Sequence, residues 1–321
     1  METTVAAPEI RLRFGQSVSS CVRNDQELVL DLAVPLLAGA GEERVIGGDE
    51  ATFLEEAGDF QVLRRADGEV VAGAAILPCP DLAEGVAYRL YHQLLDLTRD
   101  QSLYRVWHFV PGINAVTEGL EHYQSFNIGR CRAFRETFGD DSMEAHLPAA
   151  SAVGVSDPQL AIVFLSGREP VSYFENPHQV PAYQYPEQYG PCSPSFARGA
   201  LVTQSEGRRA GYLSGTAAIR GHESVAIDDV ASQLDITMEN VEAVLEQMGL
   251  PGALKRDSGI DSQLRIYLRR REDLGVVRDR LATLVGPEIA ASTMFLNADI
   301  CRSTLRLEIE GIFSDSTGLG R

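Results

Sequence analysis

The sequence predicts an α/β protein made of two diverged copies of one unit in tandem. Three observations predict it. Apolar residues recur at helical spacing and then alternate like strands, in the order helix, strand, helix, strand. The same order returns in the second half of the chain. A length of 321 residues also suits two domains better than one.

The elements follow in order. Residues 9–14 and 27–34 alternate or run apolar as strands do, and Gly68–Ile76 reads as a strand after an Asp-Gly turn, so the N-terminal third is β-rich. Leu82, Val86, Leu90, Leu94, Leu95 and Leu97 recur at helical spacing, and Leu103–Val110 alternates as a strand. Pro111-Gly-Ile-Asn opens a second helix reaching about Phe138, and Ala161–Leu165 is a short apolar strand. In the second half Asp228–Met248 is an amphipathic helix, Leu264–Arg270 a strand, Glu272–Val285 a helix and Leu305–Ile312 the closing strand. Tyr104–Ile113 sets beside Leu264–Asp273, and Ala161–Gly167 beside Arg306–Ile312. The reading divides the chain into an N-terminal α/β unit, 1–168, and a C-terminal catalytic unit, 169–321.

Composition narrows the function. With 46 Asp+Glu against 28 Lys+Arg the formal charge is −18, which makes nucleic acid and anionic membranes poor partners. The 44% hydrophobic content supplies a core, yet the longest apolar runs fall far short of the roughly 20 residues of a membrane helix. Five scattered cysteines without a C-x-x-C pair, behind an N-terminus lacking a leader pattern, point to reduced thiols in a cytoplasm. Lys255 is the only lysine and sits in a polar segment, which argues against Schiff-base and P-loop chemistry. No phosphate loop, nucleophile elbow or zinc motif occurs, and the six histidines show no metal-ligand spacing. No metal or cofactor is expected.

Between the copies lies Tyr173–Arg198, rich in proline and polar residues, which reads either as a linker or as a pocket wall. Its six aromatics in 26 residues favour a wall, because a solvated linker has no use for them.

Gly190-Pro-Cys-Ser-Pro with Gly211-Tyr-Leu-Ser-Gly, and the terminal Leu307-Glu-Ile-Glu-Gly-Ile, resemble the opening and closing motifs of the RidA/YjgF fold. That fold is a small α/β unit that forms trimers with ligand pockets between protomers. The resemblance implies tandem RidA/YjgF-like units in a pseudo-trimeric barrel arrangement, in which a monomer suffices to build the pocket. Three longer strings narrow it further: Tyr104-Arg-Val-Trp-His-Phe-Val-Pro-Gly-Ile-Asn, Tyr185-Pro-Glu-Gln-Tyr-Gly-Pro-Cys-Ser-Pro-Ser-Phe-Ala-Arg and Leu213-Ser-Gly-Thr-Ala-Ala-Ile-Arg-Gly-His-Glu-Ser. From about residue 85 to residue 313 the chain resembles the chorismatases, which remove the enolpyruvyl group of chorismate as pyruvate.

The resemblance implies chorismate as substrate and places the acid/base on the last strand, at Glu308. Strand alternation puts Thr304, Arg306, Glu308 and Glu310 on one face, with Leu305, Leu307 and Ile309 toward the core. Cleaving an enol ether requires a proton on its terminal methylene carbon, and a buried carboxyl can keep that proton near neutrality. Two substrate carboxylates call for arginines, and Arg198, Arg265 and Arg302 are the candidates. Arg269-Arg-Arg271 reads as a solvated charge run. Tyr185, Tyr189 and Tyr212 are placed to stack on the ring or donate to a carboxylate.

Cys301, seven residues before Glu308, is where the resemblance associates a cysteine with members that make 3-hydroxybenzoate rather than the dihydroxycyclohexadiene carboxylate. Ala217 departs from the glycine of that aromatising subfamily and keeps the hydrolytic outcome open. Two other classes stay open beside it. One is an enamine hydrolase of the RidA type; the other is a regulator that binds an aromatic acid through the same arginines and tyrosines.

Overall fold

The computed structural model describes residues 7–49, 51–204, 207–255 and 258–316. The chain opens with β1 (Glu9–Arg13), β2 (Ser20–Arg23), β3 (Glu27–Asp31), β4 (Leu36–Ala38) and β5 (Glu42–Gly47). Four of these form a sheet in the order β2-β3-β1-β5, with β1 and β3 parallel. Ile10 and Leu12 of β1 are fully buried beside Leu28 and Leu30 of β3, as a one-sided alternating sheet requires.

The first α/β unit follows: β6 (Thr52–Ala57), β7 (Phe60–Arg65), β8 (Val70–Pro78), α1 (Glu84–Leu97), β9 (Ser102–Pro111), the hairpin β10 (Val116–Thr117) and β11 (Leu120–Glu121), α2 (His122–Phe138), β12 (Ala149–Val155) and β13 (Gln159–Gly167). The second contains β14 (Val171–Phe174), β15 (Gly199–Thr203), β16 (Arg209–Thr216), the hairpin β17 (Ile219–Arg220) and β18 (Glu223–Ser224), α3 (Val230–Gln247), β19 (Ile260–Leu268), α4 (Leu274–Val285), α5 (Pro287–Ser292), β20 (Met294–Asn297) and β21 (Leu307–Asp315).

The expected duplication is present strand for strand. The first sheet runs β12-β9-β13-β8-β7-β6 and the second β20-β19-β21-β16-β15-β14, with β4 of the N-terminal segment added beyond β20. In each copy the parallel pair, β9 with β12 and β19 with β20, is joined by helical crossover, and the remaining pairs are antiparallel. Helices α1 and α2 cover the outer face of the first sheet, and α3 with α4 that of the second. The inner faces of both sheets share one apolar core with the N-terminal sheet. Three sheets therefore surround a common centre, and a helix-free sheet takes the third place. Ser19 ties that sheet to the first unit, because its backbone N–H and hydroxyl both donate to Asp157.

Two boundaries differ from expectation for local reasons. The second helix begins at His122 rather than near Pro111, because Gly112, Glu118 and Gly119 adopt positive φ and fold the β10–β11 hairpin first. Glu121 then opens α2 with a capping box closed by Gln124. Strand β12 is buried at all seven positions, so it shows no alternation for a sequence pattern to reveal.

The two helices of the first unit touch at Gly129, where an added Cβ would lie 2.2 Å from the Glu84 carbonyl oxygen. At an open helical site Gly→Ala gains about 1 kcal/mol of helix propensity. Here Gly129→Ala is expected to lose about 1–3 kcal/mol instead, because backbone must move. Urea unfolding of the variant measures the sign.

Candidate active site

A cavity of about 490 Å³ opens between the two units. That size suits a small organic ligand. Its floor comes from β21, where Leu307 and Ile309 point under α3 and α4 while Glu308 and Glu310 point the other way. Both glutamates are only 3% exposed. The shared polar face expected from Thr304 to Glu310 holds for these two alone, since Thr304 lies in the preceding turn and Arg306 pairs with Asp273 (2.9 Å).

Glu308 lines the cavity, and its Oε1 is buried without a hydrogen-bond partner. Burial, and then the charge of Glu310, push its carboxyl up to about 8, against the pull of Arg105 and Arg198. That direction favours the protonated form. An added Cβ on Gly215 would sit 2.1 Å from Glu308 Oε1, so the bare backbone of β16 makes the room this carboxyl occupies. Cys301 Sγ lies 3.9 Å from Glu308 Oε2, and burial raises the thiol to about 12, which keeps it uncharged.

The loop carrying Cys301 and Arg302 is clamped by Arg269. That guanidinium donates to the carbonyls of Leu305 (2.8 Å), Ile300 (3.2 Å) and Arg302 (3.0 Å) and reaches Asn114 of the first unit (2.9 Å). Arg269 is thus a half-buried support, while Arg270 and Arg271 are exposed as expected of a solvated charge run.

The Tyr173–Arg198 segment forms a wall of the cavity. Tyr185, Tyr189, Phe196 and Arg198 line it, while Tyr173 and Phe174 extend β14. Its end is pinned by Ser214, whose hydroxyl donates to the Ala197 carbonyl and accepts from the Ala150 N–H of β12. Arg198 is 3% exposed and donates to the Tyr185 hydroxyl (2.6 Å), while its buried Nε makes no hydrogen bond and faces Glu175 at 4.0 Å. Arg302 stacks 3.9 Å from the Tyr189 ring centroid and donates to the His222 carbonyl (2.7 Å); its Nη2 has no partner.

Glu308, Cys301, Tyr185, Tyr189, Arg198 and Ala217 all meet at the cavity, as the sequence reading anticipates. Tyr212 and Arg265 do not line it. Tyr212, between Ala200 and Ile312 across the sheet, packs toward the inter-sheet core. Arg265 stands opposite Glu310, two register pairs away from Glu308, and is consumed there by Glu310 (2.6 Å) and by Glu43. The reading missed Arg130 and Tyr123, which α2 brings from the first unit. Arg130 is 1% exposed, held by Asn127 (2.7 Å), and its Nε too lacks a partner. The available signal was polar Asn127 and Arg130, three apart on the stripe that buries Phe126 and Phe134.

Two buried arginines, Arg130 and Arg198, and the half-buried Arg302, each with an unmade hydrogen bond, line the same cavity as the Glu308 carboxyl. As a class, fold and cavity define an α/β protein with an enzyme-like pocket for a small organic anion. Residues 50–166 match the family model described as chorismatase FkbO/Hyg5-like, N-terminal. The chain is 33% identical over 238 residues to a 3-hydroxybenzoate synthase of Streptomyces hygroscopicus, covering 72% of this chain and 68% of that one. It is 36% identical over 231 residues to a chorismatase of the same organism, covering 70% and 65%. A chorismatase crystal structure superposes over 97% of this chain and 94% of its own, with a TM-score of 0.77 at 27% identity. The chain belongs to the chorismatase family.

Because any side chain at position 215 displaces the Glu308 carboxyl, Gly215→Ala is expected to lower turnover at least about 100-fold, the scale of a misplaced general acid, while leaving the circular-dichroism spectrum unchanged. Steady-state kinetics on the purified variant reads this directly.

Proposed function

We propose that this chain cleaves the enolpyruvyl ether of chorismate to pyruvate and 3-hydroxybenzoate, with Glu308 as the acid/base. The observation that carries the reading is Glu308 itself: a fully buried carboxyl that keeps its proton near neutrality, unpartnered on the cavity side, among arginines with free N–H groups. The printed names of the relatives, a 3-hydroxybenzoate synthase and a chorismatase, support the same substrate.

The chemistry follows from the geometry. Arg130, Arg198 and Arg302 hold the two carboxylates against the repulsion of a chain with net charge −18. Tyr185 and Tyr189, themselves braced by Arg198 and Arg302, wall the ring side. Glu308 protonates the methylene carbon, and the ether carbon becomes an oxocarbenium-like cation beside the new carboxylate, which stabilises it. In the aromatising outcome the substrate's own ring hydroxyl captures that cation; a ring proton then leaves to Glu308 as the bond between the ring and that hydroxyl oxygen breaks, and the hemiketal left on the other ring oxygen collapses to the phenol and pyruvate without net water. In the hydrolytic outcome a water adds instead, and the diol is released. The neutral thiol of Cys301, within 3.9 Å of Glu308, crowds the place where that water would stand and so favours aromatisation. Ala217, which also lines the cavity, supports the diol as the second reading.

The cavity draws its lining from both units of one chain, 1–168 and 169–321 as we divide them, so a monomer holds the complete site. Among the described residues no helix is long and apolar enough to cross a membrane, and the five cysteines are free, which supports the reducing cytoplasm as its place.

Incubation with chorismate and no added cofactor is expected to yield equal pyruvate and 3-hydroxybenzoate, read by a coupled assay and chromatography. Glu308→Gln should lose about 1,000-fold or more in turnover. Absence of pyruvate from the native enzyme would refute the reading. Since the acid is active only while protonated, activity should hold up to about pH 8 and fall as pH rises through that value. Cys301→Ala is expected to shift product toward the diol, with total pyruvate release changed less than about tenfold.

A further inference from the structure

The N-terminal sheet, whose sequence suggested no function, reaches Glu308 through buried charge. Glu310 stands two residues along β21, on the same face. Its Oε1 pairs with Arg265 (2.6 Å) and accepts from the Tyr267 hydroxyl (3.0 Å); its Oε2 pairs with Arg105 of β9 (2.6 Å). Arg105 also donates to Ser151 in the cavity wall. Arg265 is gripped from its far side by Glu43 of β5, and its guanidinium lies 4.9 Å from the ring centroid of Phe14, which follows β1. The side chains of Arg105, Arg265 and Glu310 are at most 5% exposed. Solvent therefore screens these charges little.

We propose that Glu43 and Arg265 are positioning residues for the reaction: Glu43 divides the charge of Arg265, which sets how fully Glu310 is neutralised and hence the field and placement of Glu308. The inference rests on Glu308 being the proton donor. The groups facing Glu308 are Glu310 on its own strand, Arg105 from β9, Arg198 from the aromatic wall, Cys301 from the β20–β21 loop and Tyr123 from α2. Those facing Glu310 are Arg105, Arg265 and Tyr267. Neither Glu43 nor Arg265 lines the cavity, so their influence on turnover has to pass through Glu310.

The signs are opposite for the two ends of the chain. Glu43→Gln removes a negative charge and gives Arg265 wholly to Glu310; the Glu308 carboxylate then forms more readily and the alkaline limb of activity moves to lower pH. Arg265→Gln leaves Glu310 paired with Arg105 alone and less shielded, and the limb moves to higher pH. The test is kcat and KM on chorismate across the pH range for the full-length native chain, Glu43→Gln, Arg265→Gln and Glu308→Gln. The expected result is displacement of the limb by about half a pH unit in opposite directions, with KM changed less than about threefold. Should Arg265→Gln fail to fold, Glu43→Gln alone decides. A uniform loss across all pH, with the limb in place, overturns the inference and leaves the proton donor standing. Turnover that survives Glu308→Gln overturns the donor, and this inference with it.

Discussion

The structure depends on keeping one carboxyl, that of Glu308, out of water and next to a second, Glu310, whose charge is already claimed. Alone, a buried glutamate would cost several kcal/mol as an anion, and the site avoids that cost by keeping the group protonated. Arg105, Arg265 and Tyr267 close around Glu310 two residues away. The two carboxyls thus differ in surroundings, one ion-paired and one not, although they share a strand and a face. Linkage gives the corresponding stability sign: the folded carboxyl holds its proton up to about 8, while an exposed one releases it near 4.5, so this group's contribution declines as pH rises between those values.

The duplicated fold makes this arrangement possible. Each unit contributes a sheet whose outer face is sealed by helices and whose inner face is free to meet the other. The inner face of β21 supplies Glu308, α2 of the opposite unit supplies Arg130, and the stretch between β14 and β15, inside the second unit rather than between the copies, supplies Arg198 and the two tyrosines. No one element carries more than part of the site. In a protein with an overall charge of −18, positive groups with unfinished hydrogen bonds are collected at this one cavity.

Much of this was legible in the sequence where the signal is local. The helices at 84–97 and 230–247 and the strands at 102–111 and 260–268 repeat their order, and that repetition gave the duplication. Glu308, Cys301, Tyr185, Tyr189 and Arg198 were accessible through short strings that resemble a family. What stayed hidden was register. Arg265 and Arg198 look alike as arginines beside strands; only cross-strand pairing sets Arg265 against Glu310 and leaves Arg198 at the cavity. Arg269 looked solvated because its run of basic residues is polar, whereas the backbone carbonyls it binds belong to a loop 31 to 36 residues away. Strand β12 escaped because burial on both faces erases alternation.

Proton delivery to carbon is the central step of the proposed reaction, and it leaves an isotopic record. The most direct measurement is turnover of chorismate in deuterium oxide, with pyruvate reduced to lactate as it forms so that its methyl group cannot exchange. The account predicts one solvent deuteron in that methyl group for every product molecule. A methyl group free of solvent deuterium would contradict it, because the carbon would then have taken its hydrogen from somewhere other than an exchangeable acid such as Glu308.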